Sequence, residues 1–311
     1  MRKILALVVA LCLAPIGAQA WWQSVAQQSA GSAPSYQGPG DVFTTSPYAW
    51  YSCARVFTAA QANTSTSLCD LVDSAAPTVV ICTLRGSSTG FVDLAGSYCT
   101  GSVTPSVKCA AATGGVCNVS QMYDLTGNGR HVTQATAASQ PALTFSSTPS
   151  GTLPSVNCAV GATVLASGAV TQAQPLTFSA VALRNSTTTA GGIVGGASGA
   201  PYLAGGTTNN QVQINGGSSL TATASDASWH ALNALANGNG TSSAINVDGS
   251  DATGAGGTTG LSALAIRLCR ANSTGYNGRI AEAGIWAASS TSTDRGNLNT
   301  NQHSLLSGYN F

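Results

Sequence analysis

The chain reads as an all-β protein, a two-sheet antiparallel sandwich with one short C-terminal helix. Three observations predict this. Short apolar or alternating runs recur along the sequence, separated by Gly, Ser, Thr and Asn. No stretch of helical period and useful length occurs before Ser292. The 311 residues are 43% hydrophobic and only 7% charged, enough apolar material for one large β core.

Taken in order, the first twenty residues read as a secretory leader. Arg2-Lys3 form a basic start, Ile4 to Leu13 an apolar core, and Ala18-Gln19-Ala20 an A-x-A cleavage site. The apolar run is too short to span a bilayer. Residues 21–46 are rich in Gln, Ser, Ala and Gly, and include Gly38-Pro39-Gly40; they read as a flexible lead-in. The sandwich is expected over residues 47–311, opening with the aromatic cluster Tyr48-Ala49-Trp50-Tyr51. Such a cluster serves either as core or as a platform for stacking sugars.

Further along, Thr78-Val79-Val80-Ile81-Cys82 is β-branched and reads as a buried strand. In Leu176 to Leu183 the residues on both alternating faces suit a strand covered on both sides. Gln211 to Ile214 alternates polar and apolar. Ala244 to Val247 runs into Asp248-Gly249, a hairpin turn signal. Ser262 to Leu268 and Arg279 to Trp286 are further strands. Leu298, Leu305 and Leu306 give the stretch from Ser292 its helical spacing, and Asp294 belongs in the first turn, where the helix dipole favours an anion.

Charge and cysteines narrow the function. Without Arg2 and Lys3, nine basic residues stand against ten acidic ones, and Lys108 is the remaining lysine. No basic patch is available to neutralise phosphates, so nucleic acid is not an expected partner, nor is membrane insertion. With Cys12 in the leader, eight cysteines remain: Cys53, Cys69, Cys82, Cys99, Cys109, Cys117, Cys158 and Cys269. An even number behind a leader implies disulfides and a secreted protein, extracellular or periplasmic. The sequence leaves the connectivity open. The absence of a C-x-x-C pair and the scattered histidines argue against zinc.

The densest run of conformational instruction is Tyr123-Asp124-Leu125-Thr126-Gly127-Asn128-Gly129-Arg130-His131-Val132-Thr133-Gln134. Asp124 can accept from the backbone two residues on, and Asn128-Gly129 is a strong turn signal. Asp124, Thr126 and Asn128, with Gly129 sixth, also imitate the start of a calcium loop, but Ala135 stands where the bidentate glutamate belongs; no cofactor is expected.

This segment resembles one in the catalytic domain of α-L-arabinofuranosidase B, glycoside hydrolase family 54, within the concanavalin A-like (laminin-G-like) jelly-roll superfamily. Asn272-Ser273-Thr274-Gly275 and Gly278-Arg279-Ile280-Ala281-Glu282-Ala283-Gly284-Ile285 resemble that domain's last strand. The resemblance covers roughly residues 47 to 306 and implies a jelly-roll sandwich that engages a neutral glycan. It also implies where catalysis should sit. The family's general acid is an aspartate just before the Asn-Ser-x-Gly segment, and Ala271 holds that place here. The family's nucleophile is a glutamate in mid-domain, yet no glutamate occurs between Asp124 and Glu282.

Three readings follow. The first is a secreted glycan-binding domain with a degenerate catalytic site, using Trp50, Tyr51, Asn128, Arg130, His131, Tyr276 and Asn277 to hold a neutral polysaccharide. The second is an active arabinofuranosidase on arabinan or arabinoxylan, with Glu282 and Asp124 as its carboxyl pair. Glu282 attracts attention because it lies in an apolar strand, where burial favours the protonated form that a general acid needs. The plainer role for Glu282 is an ion pair, with Arg267 or Arg279 as candidates. The third reading is a structural or adhesion domain of a cell surface or phage particle. The lack of a G-x-S-x-G motif leaves nothing in the sequence to suggest a serine nucleophile.

Overall fold

The computed structural model describes residues 36–145, 153–159, 161, 163–185, 191–197, 201–271 and 274–305. The expected leader, most of the lead-in and Leu306 lie outside the described residues.

The chain opens with a helical turn, α1 (Pro39–Val42), and strands β1 (Pro47–Ser52), β2 (Ser67–Asp73) and β3 (Ala76–Arg85). A short helix α2 (Pro105–Ala110) precedes β4 (Asn118–Met122), β5 (Val132–Thr133), β6 (Ala142–Thr144) and β7 (Ser155–Cys158). The remaining strands are β8 (Leu165–Gln172), β9 (Leu176–Arg184), β10 (Gly192–Gly196), β11 (Tyr202–Gly205), β12 (Gln211–Asn215), β13 (Ser219–Thr223) and β14 (Trp229–Ala236). They continue with β15 (Ser243–Val247), β16 (Ser250–Gly254), β17 (Leu261–Ala271) and β18 (Gly278–Trp286), before helix α3 (Ser292–Leu305).

The ladders are antiparallel and form two layers. One runs β1-β18-β9-β14-β15-β16. The other runs β8-β17-β10-β11-β12-β13. The layers are joined along one side. β7 extends the β18 edge beside β1 and leads through β6 to β4, and β4 connects through β5 to β8. The sandwich is thus nearly closed into a barrel, which leaves few strand edges open.

β9 lies between β18 and β14, and its residues from Leu176 to Ala182 are all buried, as the doubly apolar alternation predicts. One face of its layer meets the second layer; the other is roofed by α3. β3 departs from expectation. Val79 is 57% and Val80 43% exposed. β3 pairs with β2 on one side, and on the other only its second half meets the Tyr98–Thr100 segment, so its β-branched first half projects at an edge rather than entering the core.

Packed structure also begins upstream of the expected boundary at Pro47. Phe43 packs on Trp286 at 5.3 Å between ring centroids, and its carbonyl accepts from the Trp286 indole. Trp50 and Phe57 complete this cluster. Gly284 makes room for it: a Cβ there would lie 2.2 Å from the Trp50 ring. The disulfides join consecutive cysteines: Cys53–Cys69, Cys82–Cys99, Cys109–Cys117 and Cys158–Cys269. The last ties β7 to β17, one from each side of the sandwich.

Candidate functional site

The Tyr123–Gln134 segment is built as a clasp on β1. The Asp124 carboxylate is buried and accepts from the backbone N–H of Trp50 (3.2 Å), Thr126 (3.0 Å) and Arg130 (2.9 Å), and from the Thr126 hydroxyl (2.7 Å). Gly127 and Gly129 turn the chain at φ +85° and +70°, which their lack of a Cβ allows. The Asn128 amide then donates to the carbonyls of Pro47 and Tyr48. Arg130 donates to the Tyr48 carbonyl and stacks its guanidinium 3.8 Å over the Tyr48 ring. The Tyr51 hydroxyl donates to the Arg130 carbonyl at 2.6 Å. Burial first, then the Asp124 charge, push the Tyr51 phenol well above its ordinary pKa.

A calcium ion does not fit this loop. Both Asp124 oxygens face N–H or O–H donors, and the Asn128 amide donates to backbone carbonyls that a cation would otherwise need.

The residues expected to hold a glycan divide between two places. Trp50, Tyr51 and Tyr276 are at most 1% exposed and present no ring face to solvent. Asn128, Arg130 and His131 sit on the clasp beside the Trp286 end of β18. Tyr276 and Asn277 lie at the Gly278 end, where Asn277 accepts from the Asn185 amide. β18 is nine residues long, so its ends stand roughly 25 Å apart at ~3.3 Å per residue. These residues do not converge. His131 accepts from the Asp124 N–H through Nδ1 at 2.9 Å, which leaves the proton on Nε2 of an exposed ring.

Glu282 is 1% exposed and forms a bidentate pair with Arg55: Nε to Oε2 at 2.5 Å and Nη2 to Oε1 at 2.6 Å. The partner is neither Arg267 nor Arg279. Arg55 also donates to Asn301, and Gln302 donates to both Glu282 and Ser179, while Asn233 donates back to Gln302. The network fills the seam between α3 and the outer face of β9, β14 and β18. The structure therefore does not bring Glu282 and Asp124 together as a pair across an open cleft. Each carboxylate is spent on donors of its own.

At the place where the resemblance puts a general acid, Ala271 is fully buried in an apolar cluster with Tyr202 and Ala204. A Cβ on Gly192 would lie 2.4 Å from the Ala271 methyl, so a larger residue at either position would overpack the site.

Two open depressions, each with mixed polar and apolar walls, lie among the described residues. One lies between β3, β4 and β5 and includes Asp70, Pro77, Val80, Gln121, Thr133 and Gln134. Asp70 accepts there from the hydroxyls of Thr83 (2.6 Å) and Tyr123 (2.9 Å). Burial and Asp70 together push the Tyr123 phenol up to about 12. The other lies between β13 and the β15–β16 hairpin, and His230, Asp248 and Asp251 line it. Sequence reading missed His230 as a site residue because Trp229-His230 scans as an ordinary core strand start. The usable signal was the Asp248-Gly249 turn: with Leu232 opposite Val247, the hairpin register sets Asp248 beside His230.

No family model matches the chain, and no curated protein matches it in sequence. Solved structures do match. A mutant GH54 α-L-arabinofuranosidase soaked with 4-nitrophenyl α-L-arabinofuranoside superposes at TM-score 0.65 and 14% identity, over 88% of this chain and 66% of that one. An arabinofuranosidase complexed with arabinofuranosyl-α-1,2-xylobiose gives 0.63 and 15%, over 88% and 65%. The chain spans about two thirds, slightly less, of those enzymes' length. It has the fold of the GH54 α-L-arabinofuranosidase structures.

Proposed function

We propose that this protein is a secreted domain that binds a neutral glycan and does not cleave arabinofuranosides by a two-carboxylate route. One observation carries the second half: Ala271, not an acid, occupies a sealed apolar cluster where the resembling enzymes hold their proton donor. The commitment of Glu282 to Arg55 and of Asp124 to the clasp supports it, since a carboxyl pair must flank the scissile bond.

For binding, the groove beside the clasp is the better-suited surface. It offers amide and hydroxyl groups in Gln121 and Thr133, and an apolar strip in Pro77 and Val80 against which a sugar ring can lie. His131 and Asn128 border the same segment. The low net charge suits an uncharged ligand.

The test is direct. Purified protein should release no p-nitrophenol from p-nitrophenyl α-L-arabinofuranoside, yet be retarded on an arabinan or xylan column, and Gln121→Ala with Thr133→Ala should shorten that retention. Release that Glu282→Gln abolishes would overturn the reading in favour of an active arabinofuranosidase. Absence of both release and retention would leave a structural domain.

A further inference from the structure

We propose that Ser225, His230 and Asp248 form a nucleophilic site that accepts a small acyl ester in the hollow between β13 and the β15–β16 hairpin. The three side chains come from separate elements: the β13–β14 loop, the start of β14 and the β15–β16 turn. The Ser225 hydroxyl lies 3.2 Å from His230 Nε2, and His230 Nδ1 lies 2.6 Å from Asp248 Oδ2. The other Asp248 oxygen accepts from the Ala231 N–H at 2.9 Å, which fixes the carboxylate. Ser225 is exposed at the hollow, His230 is buried behind it, and Asp248 is half-buried. This is the order that nucleophile, base and orienting acid require.

The local backbone holds the arrangement under strain. Ala227 and Asp248 both adopt left-handed conformations, at φ +59° and +50°. For Asp248 a hairpin turn explains it; for alanine the conformation is unfavourable and must be imposed by the surrounding contacts. The Ala227 N–H donates to the Arg184 carbonyl, and Arg184 pairs with Asp226, so the loop carrying Ser225 is anchored on both sides of Asp226.

The chemistry balances without any co-reactant but water. In the imidazolium both protons are held, one by Asp248 at Nδ1 and one by the Ser225 carbonyl at Nε2; once the Nε2 proton is lost, its lone pair is open to the serine hydroxyl 3.2 Å away. Ser225 Oγ adds to the ester carbonyl carbon as its proton passes to Nε2. The adduct collapses, the bond to the alkoxy oxygen breaks, and that oxygen leaves with the Nε2 proton, giving an acyl-serine and an alcohol. Water then attacks the same carbon, gives a proton to Nε2, and the Ser225 oxygen departs with it, releasing the carboxylic acid. The Ser225 carbonyl, 2.8 Å from Nε2, accepts the same proton when the imidazolium forms, so it competes for that proton with the leaving oxygen. Ser225 and His230 are the catalytic residues and Asp248 the positioning residue. Thr221, Thr223 and Ser250 bring hydroxyls to the hollow beside the apolar Ala222, Val247 and Ala252, a lining that suits a small uncharged ester.

The charged surroundings set the pH dependence. Burial alone would lower the His230 pKa. The hydrogen bond and charge of Asp248, the Ser225 carbonyl and the charge of Asp226 outweigh it and raise the pKa above the ordinary value. His303 stands 3.8 Å from Asp248 Oδ1, and burial lowers its own pKa. Arg295 of α3 holds Asp251, which lines the same hollow. The base is therefore free only above the ordinary histidine range, and the rate rises with pH through that raised value.

The test uses the full chain. Hydrolysis of p-nitrophenyl acetate is followed against pH, and the protein is treated with a fluorophosphonate probe and mapped by mass spectrometry. The expected result is a single label on Ser225, with the rate lowered ~100-fold or more by Ser225→Ala and by His230→Asn, the range for loss of nucleophile or base. Asp248→Asn should lower kcat more than KM and shift the pH profile. Ser225→Ala alters one exposed hydroxyl, so it reads the chemistry even where His230→Asn fails to fold. A wild-type rate equal to that of Ser225→Ala, or a label elsewhere or absent, overturns the inference. Retention on arabinan by the wild-type protein is measured alongside: esterase failure with retention intact leaves the glycan reading standing, and the reverse leaves this one.

Discussion

At the scale of single residues, buried charges are satisfied pair by pair, and those pairs carry the sharpest predictions. Arg55 and Glu282 are both essentially inaccessible to water and meet in a fork-to-fork geometry. Removing one partner strands the other as an uncompensated buried charge. Arg55→Met should therefore cost about 3–5 kcal/mol in a denaturant titration, whereas Arg55→Met with Glu282→Met should recover much of it. A double variant as unstable as the single would refute the pairing. His230 gives a prediction of opposite pH sense to the usual carboxylate. Its folded pKa is raised, so its contribution to stability is complete below the unfolded value of about 6.5 and is lost as pH rises through the folded value. The wild-type Tm should fall more between about pH 6 and pH 9 than that of Asp248→Asn, and equal slopes would sink the claim. The sequence marked Glu282 as unusual through its apolar neighbours but could not find its partner. Arg55 lies 227 positions away in a loop with no periodic pattern, so only folded geometry identifies it.

At the scale of elements, turn chemistry was legible and docking was not. Asp124, Gly127, Asn128 and Gly129 announce a tight turn, and the chain turns there with both glycines at positive φ. What no local rule reveals is that the turn's donors and acceptors reach back to β1, some eighty residues earlier. Asp124→Ala should leave the Trp50, Thr126 and Arg130 N–H groups without their acceptor and cost on the order of 3 kcal/mol. Limited proteolysis should then cut within 126–131 in the variant before it cuts the wild type. Cleavage patterns that match would show the clasp to be held by other means. α3 makes a related point. Its apolar period is weak because the side it buries is largely polar: Arg295, Asn299, Asn301 and Gln302 are all buried. Helical pattern reading expects an apolar stripe and undervalues a helix seated on a hydrogen-bonded seam. β3 fails in the other direction, since β-branched residues suit an edge strand as well as a buried one.

At the scale of the molecule, alternation along strands gave the two layers, while their closure depends on pairings among distant short strands that periodicity cannot order. The same closure makes the cysteines unequal. Cys109–Cys117 spans 8 residues around α2, Cys53–Cys69 and Cys82–Cys99 span 16 and 17, and Cys158–Cys269 spans 111 and links the strand flanking β18 to a central strand of the opposite layer. If a cross-link acts chiefly by restricting the unfolded chain, its contribution grows with the logarithm of the loop. That gives about 2.5 kcal/mol for the shortest loop, about 3 for the middle two and about 5 for the longest. Replacing Cys158 and Cys269 together by serine should therefore lower the free energy of unfolding roughly twice as far as replacing Cys109 and Cys117. It should also raise the denaturant m-value, because an unfolded chain freed of a long loop exposes more surface. Were the short-loop variant the more damaged of the two, restriction of the unfolded state would not be the main effect. The weight would then fall on native packing around α2, a peripheral element, and not on the bridge that holds the two layers face to face.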